Sequence, residues 1–393
     1  MRVIAAIVVF FFSVNTVFLP TPLLAQTVFN LPVPGVIVHL SPAFTPVMMK
    51  GLTLYPDNPF KFDFINDQGD SKLEGEKFKE ESTKLIKYFM SALTVPEENM
   101  WVNLSPNEPN RIIADGLNKT EMGRDLLAQD YILKQLTASL MIPENELGKE
   151  FWDRVRKEAK EKFNTDDIPM DTFHKVWIVP EKAVVYTHDK SAFVVESHLK
   201  VMLEDDYLAT KNNSDHLEDG RLKREDGTRS EYPSSIINPP SSSSPEITNI
   251  LRRLIIPAIE KEVNEGKNFA QLRQVYNSLI LATWYKKNLK QSVLGKVYVD
   301  QNKTKGVETD DKSAKEKIYN QYLEAFKKGV YDVIKDDYDP ETQEIIPRKY
   351  FSGGVDAAMM TTIQSTTIGL NLYQRGQLPQ GDEAVFTTVL KTM

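Results

Sequence analysis

Apolar side chains recur at helical spacing through several long segments of the chain. Where apolar residues lie three and four positions apart, one face of the segment can pack against a core. This spacing predicts helices over residues 72–92, 117–141, 144–163, 245–265, 268–290 and 313–335. In the segment 245–265, Pro257 is expected to kink or restart the helix, and Gly266 is expected to cap it.

The segment 268–290, NFAQLRQVYNSLILATWYKKNLK, carries the strongest helical pattern. A broad apolar arc that includes Phe269 and Trp284 is expected to face the core. Leu281 and Tyr285 lie on the otherwise polar side, which indicates a second contact there. The pattern therefore predicts a helix that packs on more than one side.

Two of these helices are preceded by residues with capping-box spacing. Asn118 is followed by Glu121, and Asn268 is followed by Gln271. In a capping box the first side chain accepts a hydrogen bond from the third helical N–H group. The two pairs predict that the helices start at these asparagines.

The centre of the chain is rich in β-branched and aromatic residues. The runs FHKVWIV, AVVYTH and AFVVESHLKVML are separated only by PEK and by DKS, which is typical of a meander of three antiparallel strands. Several strands after several helices favour the α+β class over a parallel doubly wound sheet. The expected fold is an antiparallel β meander packed against several long α-helices.

Amino-acid composition and the positions of proline- and serine-rich stretches predict the domain organisation. Residues 1–25 begin with Arg2, continue through an apolar run and end at Ala25, as a secretory signal peptide does; an uncleaved membrane anchor is the alternative. Residues 26–49 form an extended proline-containing segment. Residues 50–354 are expected to form a single α+β domain, with a mobile Ser/Pro-rich insertion at 205–244. Residues 355–393 are a weakly patterned tail.

Charge and cysteine usage exclude several classes of function. The net charge is −7, and removal of Arg2 with the signal leaves −8, so the basic footprint of a nucleic-acid-binding protein is missing. The chain has no cysteine, which excludes disulfides, thiolate catalysis and cysteine zinc sites. With the signal removed, no transmembrane span is expected, and the protein is predicted to be secreted or periplasmic.

Carboxylate pairs are the first candidate chemistry. Glu121 and Asp125 lie one helical turn apart, and Glu204 and Asp205 stand together at the end of the last run of strand character. A glycosidase needs two carboxyl groups about 5–10 Å apart, one of them with a raised pKa. The alternative is structural, since acidic residues favour the first turn of a helix and acidic residues at strand ends are usually solvated.

Histidines of the central strands are the second candidate. His174, His188 and His198 all fall there, and Glu196 lies on the same strand face as His198. A zinc site needs three or four such ligands to converge. The alternative is an ordinary solvated sheet face. Neither a phosphate-binding loop nor a dinucleotide fingerprint is present, so no cofactor is expected.

Several stretches carry a resemblance to known sequences. NMWVNLSP, MGRDLLAQDYILKQLTASL, KVWIVPEKAVVY, FVVESHLKVML and FAQLRQVYNSLILATWYK resemble a family of uncharacterised exported proteins from uncultured bacteria. The resemblance implies a bacterial, exported, single-unit protein and carries over no site residue.

These observations lead to two functional hypotheses of different classes. The first is a non-enzymatic structural or interaction module of the cell envelope, with an envelope protein or a glycan as partner. The second is a secreted hydrolase of glycan or peptide that uses one of the carboxylate pairs. Opposed carboxylates in an apolar-walled cleft would favour the hydrolase.

Overall fold

The computed structural model describes most of the chain. Contacts between residues divide it into Met1–Leu31 and Pro32–Met393. Of the first unit only Leu31 is described, so the predicted signal peptide lies outside the described residues. The described ranges are 31–55, 61–105, 109–164, 173–188, 190–219, 245–289, 306–309, 311–328, 335–339, 343–348, 350–360, 363–366 and 390–391.

The described strands form a mixed sheet and a separate ribbon. The strands are β1 (Met48–Leu54), β2 (Phe62–Asp67), β3 (Trp101–Asn103), β4 (Phe173–His188), β5 (Ser191–Leu203), β6 (Lys335–Asp339), β7 (Glu344–Arg348), β8 (Tyr350–Asp356), β9 (Ile363–Thr366) and β10 (Leu390–Lys391). The sheet has the order β10-β2-β1-β5-β4-β8-β3, with β9 also paired to β4. Strand β4 runs parallel to β8 and β9 and antiparallel to β5.

Several helices contact this sheet, and the α+β class predicted from the sequence is confirmed. The helices are α1 (Gly75–Thr94), α2 (Asp115–Asn118), α3 (Glu121–Leu140), α4 (Glu146–Phe163), α5 (Glu204–Asp219), α6 (Pro245–Ile250), α7 (Ile256–Glu265), α8 (Ala270–Leu289) and α9 (Ala314–Lys328). Short 3₁₀ segments lie at Glu97–Asn99, Pro109–Arg111 and Lys267–Phe269. A π-helical turn, Leu251–Ile255, joins α6 to α7 just before Pro257.

The central meander has two long strands where the sequence predicted three. PEK does not end a strand; the register of β4 against β5 shifts between Pro180 and Lys182, so Glu181 is accommodated as a bulge. On the other side, β8 pairs with β4 up to Ile178 and β9 pairs from Ala183. Pro180, which has no N–H to donate, falls in the interval between these two described pairings.

The predicted insertion and the predicted C-terminal tail both contain regular structure. The segment predicted as an insertion begins with helix α5, and residues 220–244 lie outside the described residues. In the predicted tail, β9 pairs with β4 and β10 pairs with β2. Both segments therefore contribute backbone pairing or helix to the fold.

Helix α3 is buried along almost its whole length. Every residue from Met122 to Leu140 is buried, including charged and amide side chains. Its cap is Thr120, whose hydroxyl oxygen accepts from the N–H of Gly123 at 3.0 Å. The prediction that Asn118 caps this helix is wrong, because Asn118 ends the preceding helix α2.

Helix α8 is buried on its polar side as well as its apolar side. It packs against α1, β1, β4 and β5, and Gln274, Asn277 and Ser278 are all buried. Their side chains have partners: the amide nitrogen of Gln274 donates to the carbonyl of Val47 at 2.8 Å, and Asn277 accepts from Ser197 at 3.1 Å. Polar residues in this helix therefore join neighbouring elements.

The start of α8 differs from the predicted capping box. Asn268 lies inside the 3₁₀ turn, and its side-chain nitrogen donates to the carbonyl of His39 at 2.9 Å and to Glu262 at 2.8 Å. The amide nitrogen of Gln271 reaches the hydroxyl of Tyr88 at 3.4 Å. Both members of the predicted box are thus used to hold other parts of the chain.

Trp284→Ala and Tyr285→Ala are each expected to lower the free energy of unfolding by about 3–5 kcal/mol, because each leaves a cavity in the core. Trp284 is 6% exposed and Tyr285 is 1% exposed. The ring of Tyr285 packs edge-on against Phe62 with centroids 5.1 Å apart. Urea denaturation measures the effect, with exposed Lys287→Ala on the same helix as the control. A Tyr285→Ala protein as stable as the control would contradict burial of that side.

Candidate functional sites

The predicted carboxylate pair on α3 is part of a buried ion-pair cluster. Arg124 donates from Nε to Asp125 at 2.6 Å, and its Nη1 lies 3.7 Å from Glu121. Lys87 on α1 lies 2.9 Å from Glu121, and the hydroxyl of Tyr88 donates to Asp125. The structure therefore brings Glu121 and Asp125 together through Arg124, and it joins both to α1.

The pKa values in this cluster follow from burial and the Asp125 charge. Burial and then the charge of Asp125 raise the pKa of Tyr88 well above its usual value, so Tyr88 remains a neutral donor. Burial opposes the charge of Arg124, but the hydrogen bond and charge of Asp125 raise its pKa. Since both carboxylates are engaged by cations or a tyrosine, the arrangement is suited to joining α1 and α3.

The structure does not set Glu204 and Asp205 against each other. They occupy the first turn of α5, where acidic side chains interact favourably with the helix dipole. Glu204 lies 3.4 Å from Lys175, whereas Asp205 is exposed. The next residue, Asp206, receives two hydrogen bonds of 3.0 Å from Arg252. These contacts attach α5 to β4 and to the π turn.

The three candidate histidines are distributed along the β4–β5 hairpin. His174 pairs with β8 at one end of β4, and His188 is the last residue at the other end, about 45 Å away at the usual strand rise. His198 is in register with Lys182, about 20 Å along β4 from His188. Among the described residues, no group of three or more possible ligands converges as a metal site would require.

Glu196 and His198 belong to a row of charged and polar side chains on the surface of this hairpin. The Nδ1 atom of His198 lies 2.7 Å from Glu181, and Lys200 lies 3.3 Å from the same carboxylate. Lys182 lies 2.8 Å from Glu196. These side chains are between a third and a half exposed, so each pair contributes little to stability.

A buried ion pair that the sequence analysis did not single out lies at the centre of α3. Lys134 donates to Asp130 at 2.5 Å and to the carbonyl of Gly353 at 2.9 Å, and Asp130 accepts from the N–H of Leu104 at 2.8 Å. The two side chains are 2% and 0% exposed. The pair therefore links α3 to β8 and to the residue that follows β3. In the sequence, only the i,i+4 spacing of Asp130 and Lys134 indicates that the two side chains pair.

A glycine pair in β8 permits this close packing. Gly353 has a φ of +126°, and a Cβ there would lie 2.1 Å from the carbonyl oxygen of Val176. A Cβ on Gly354 would lie 1.8 Å from the carbonyl oxygen of Val102. The backbone of β8 can thus lie between β3 and β4 while its Gly353 carbonyl accepts from α3.

Burial moves the pKa values of the pair toward each other. Burial raises the pKa of Asp130 to about 6, against the opposing effects of Lys134 and the Leu104 N–H. Burial lowers the pKa of Lys134 to about 8, against the opposing effect of Asp130 and helped by the charge of Lys175. Folding therefore disfavours both charged forms relative to the unfolded chain.

Because the pKa values of Asp130 and Lys134 differ between the folded and the unfolded chain, the contribution of this pair to the free energy of unfolding should pass through a minimum as pH changes. As pH rises from about 4 to 6, folded Asp130 holds its proton longer than unfolded Asp130, so its contribution falls. As pH rises from about 8 to 10, folded Lys134 loses its proton first, so stability rises. The contribution should be lowest at pH 6–8, and chemical denaturation of wild type and Asp130→Asn/Lys134→Met across pH should show this difference.

Replacing Lys134 alone tests whether its charge compensates the buried charge of Asp130. Lys134→Met alone leaves the buried Asp130 charge without its cation and is expected to cost about 3–5 kcal/mol near pH 7. Asp130→Asn/Lys134→Met keeps an acceptor for the N–H of Leu104 and should cost less than the single variant. A double variant at least as unstable as Lys134→Met would contradict the assignment of an uncompensated charge.

A third feature is the N-terminal strap, residues 32–47, which lies on helices α3, α7 and α8. Tyr131 donates to the carbonyl of Pro32 at 3.1 Å, and the N–H of Val38 donates to Ser139 at 2.9 Å. Arg273 donates to the carbonyl of Phe44 at 2.7 Å. The strap has little regular secondary structure, yet side chains of buried helices fix its course.

Glu262 on α7 is the main attachment point of the strap. This carboxylate is 4% exposed and accepts from both the N–H and the hydroxyl of Ser41, and from Asn268. A Cβ on Gly266 would lie 2.2 Å from it, so the glycine lets the carboxylate keep this position. Arg273 donates to the carbonyls of Val263 and Gly266 and so covers the end of α7 beside the same carboxylate.

The outward side of the strap carries four large apolar side chains, beside which His39 is also exposed. Val33, Val36, Ile37 and Leu40 are 65%, 50%, 42% and 47% exposed. Val38, between them, is buried. These four exposed side chains, called the strap surface below, all fall within residues 33–40, whereas Val195, another exposed apolar residue, lies on strand β5.

Glu262→Ala is expected to release the strap, because it removes the acceptor of three donors at once. The expected loss is about 1–3 kcal/mol, together with faster hydrogen exchange at Val38 and Ser41. Glu265→Ala is the matched control, since this exposed residue lies at the end of the same helix. Native-state hydrogen exchange that leaves the strap amides equally protected in both variants would contradict the role of Glu262.

The remaining surface offers an open depression. It has a volume of about 350 Å³ and lies along the exposed charged side of one helix, α4. None of the helices in the described part of the chain is both long enough and apolar enough to cross a membrane. No protein-family model, curated protein or solved structure matches the chain.

Proposed function

We propose that the protein is an exported, non-enzymatic interaction module of the cell envelope and that it makes contact through the strap surface. The observation that carries the proposal is the combination of a fixed backbone with outward-facing Val33, Val36, Ile37 and Leu40. Contiguous exposed apolar side chains mark interaction surfaces, whereas single ones are ordinary. A strap held by buried helices presents these side chains in one arrangement.

The location in the envelope is supported by the sequence. The apolar run near the start of the chain has the character of an export signal, and a cysteine-free chain is compatible with an oxidising compartment. Since the strap follows directly behind that run, it enters the envelope with the rest of the domain. An envelope protein, a glycan or a lipid could each be the partner of such a surface.

The alternative function, a secreted hydrolase of glycan or peptide, receives less support. It requires two carboxyl groups that face a substrate, one of them able to donate a proton. Glu121 and Asp125 are bound to Arg124, Lys87 and Tyr88, and Asp205 is exposed beside the paired Glu204. The observed contacts therefore favour a structural use of these acids.

The proposal predicts that the strap surface is covered in the native envelope. Because the chain has no cysteine, Val36→Cys introduces a single thiol at a half-exposed position. A maleimide should modify it much more slowly in isolated envelopes than in the purified protein. The control is Val195→Cys, which is equally exposed on β5 and should react at similar rates in both preparations. Equal rates for Val36→Cys in both preparations would overturn the proposal.

A further inference from the structure

We infer that the partner of the strap surface is a lipid bilayer, on whose surface Val33, Val36, Ile37 and Leu40 insert while the domain stays outside. This inference rests on the proposed function and specifies its partner. Three observations carry it: the lack of charge in the strap, the way its backbone is satisfied, and the lysines beside it.

The strap belongs to an unusually long charge-free part of the sequence. No Asp, Glu, Lys or Arg occurs between Arg2 and Lys50, in a chain that is 26% charged overall. Protein–protein interfaces normally have a polar rim. A surface that enters hydrocarbon must instead lack charged side chains, since each is costly there.

The backbone of the strap is also adapted to an apolar environment. In lipid, N–H and C=O groups must find partners within the protein. The N–H groups of Val38 and Ser41 donate to buried side chains, and the carbonyls of Pro32, His39 and Phe44 accept from others. Prolines at 32, 34, 42 and 46 have no N–H group to satisfy. These backbone groups thus bond to side chains of the protein, while Val33, Val36, Ile37 and Leu40 are exposed together with His39.

Lys328 stands at the edge of this surface, and Lys327 precedes it on the last turn of α9. A Cβ at Gly35 would lie 3.5 Å from the Cβ of Lys328, which with Lys327 forms the exposed last turn of α9. Lysine side chains at an interface extend their charge toward lipid headgroups while their stems cover apolar surface. Lys328 also lies 2.7 Å from Glu324, an exposed pair that costs little to exchange for a phosphate contact.

The surface is suited to reversible, interfacial contact. Four aliphatic side chains on a short strap bury little area, and stable attachment to a membrane takes two signals. The apolar run that precedes the strap in the sequence would supply a second signal whenever it is retained, and would bring the strap to the bilayer during export. Binding by the strap alone should therefore be weak and should strengthen with anionic lipid.

Fluorescent probes at single cysteines test the inference directly. The full chain, as isolated, carries an environment-sensitive label at Val36→Cys, Leu40→Cys or Val195→Cys and is mixed with phosphatidylcholine vesicles with or without phosphatidylglycerol. The labels at Val36 and Leu40 should shift to shorter emission wavelengths and be quenched by doxyl-labelled lipid. The label at Val195 should do neither, and circular dichroism checks that each labelled protein is folded.

Each other outcome overturns the inference in a distinct way. If the strap labels respond no more than the Val195 label, while Val36→Cys is protected in envelopes, the partner is a protein or glycan and only the inference fails. If the strap labels are already blue-shifted without vesicles and the protein self-associates, the strap binds a second copy. If protection in envelopes is also missing, the proposed function fails with it.

Discussion

The fold depends on the buried pair formed by Asp130 and Lys134. Two charges removed from water are tolerated only when their partners are fixed in place, and here the partners come from α3, β8 and the residue after β3. Any rotation of α3 against the sheet would keep the two charges paired with each other but would break their buried hydrogen bonds to the N–H of Leu104 and the carbonyl of Gly353. The pair therefore restricts how α3 can pack, while the apolar side chains around it supply the stabilisation.

The same use of buried polar groups recurs outward from α3. Arg124 and Asp125 join α1 to α3, Gln274 joins α8 to the end of the strap, and Glu262 holds the strap itself. Gln274 and Glu262 are polar side chains on helices that supply hydrogen-bond partners to the backbone of a segment without regular structure. Buried polar side chains thus hold the backbone of the strap, which is why the strap has a defined course without forming a hydrogen-bonded strand.

Helix positions and fold class could be predicted from the sequence because apolar periodicity reports burial. The segment 72–92 corresponds to Gly75–Thr94, and the segment 144–163 corresponds to Glu146–Phe163. Periodicity fails where buried residues are polar, so Gln274 and Asn277 of α8 fell outside the predicted apolar arc although both are buried. It also cannot show that a proline is tolerated in β4, since that depends on where β8 and β9 end.

For the candidate sites, the sequence predicted contacts between residues of the same helix or strand, but not contacts between different elements. The i,i+4 spacing brought Glu121 and Asp125 together, but Tyr88 and Lys87 come from another helix, and they determine what the carboxylates do. For the histidines, the strand spacing was visible, but their separation along a continuous β4 was hidden by the apparent break at PEK. The strap was read as extended and proline-rich; its attachments depend on residues more than a hundred positions away.

The parallel pairing of β4 with β8 has a consequence for how the chain reaches this structure. Phe173 pairs with Tyr350, so the middle of the sheet forms only after a very large loop has closed. Such non-local pairing makes folding slow and leaves apolar strand edges open in the meantime. Until β8 pairs with β4, the chain therefore has its greatest need of protection from aggregation.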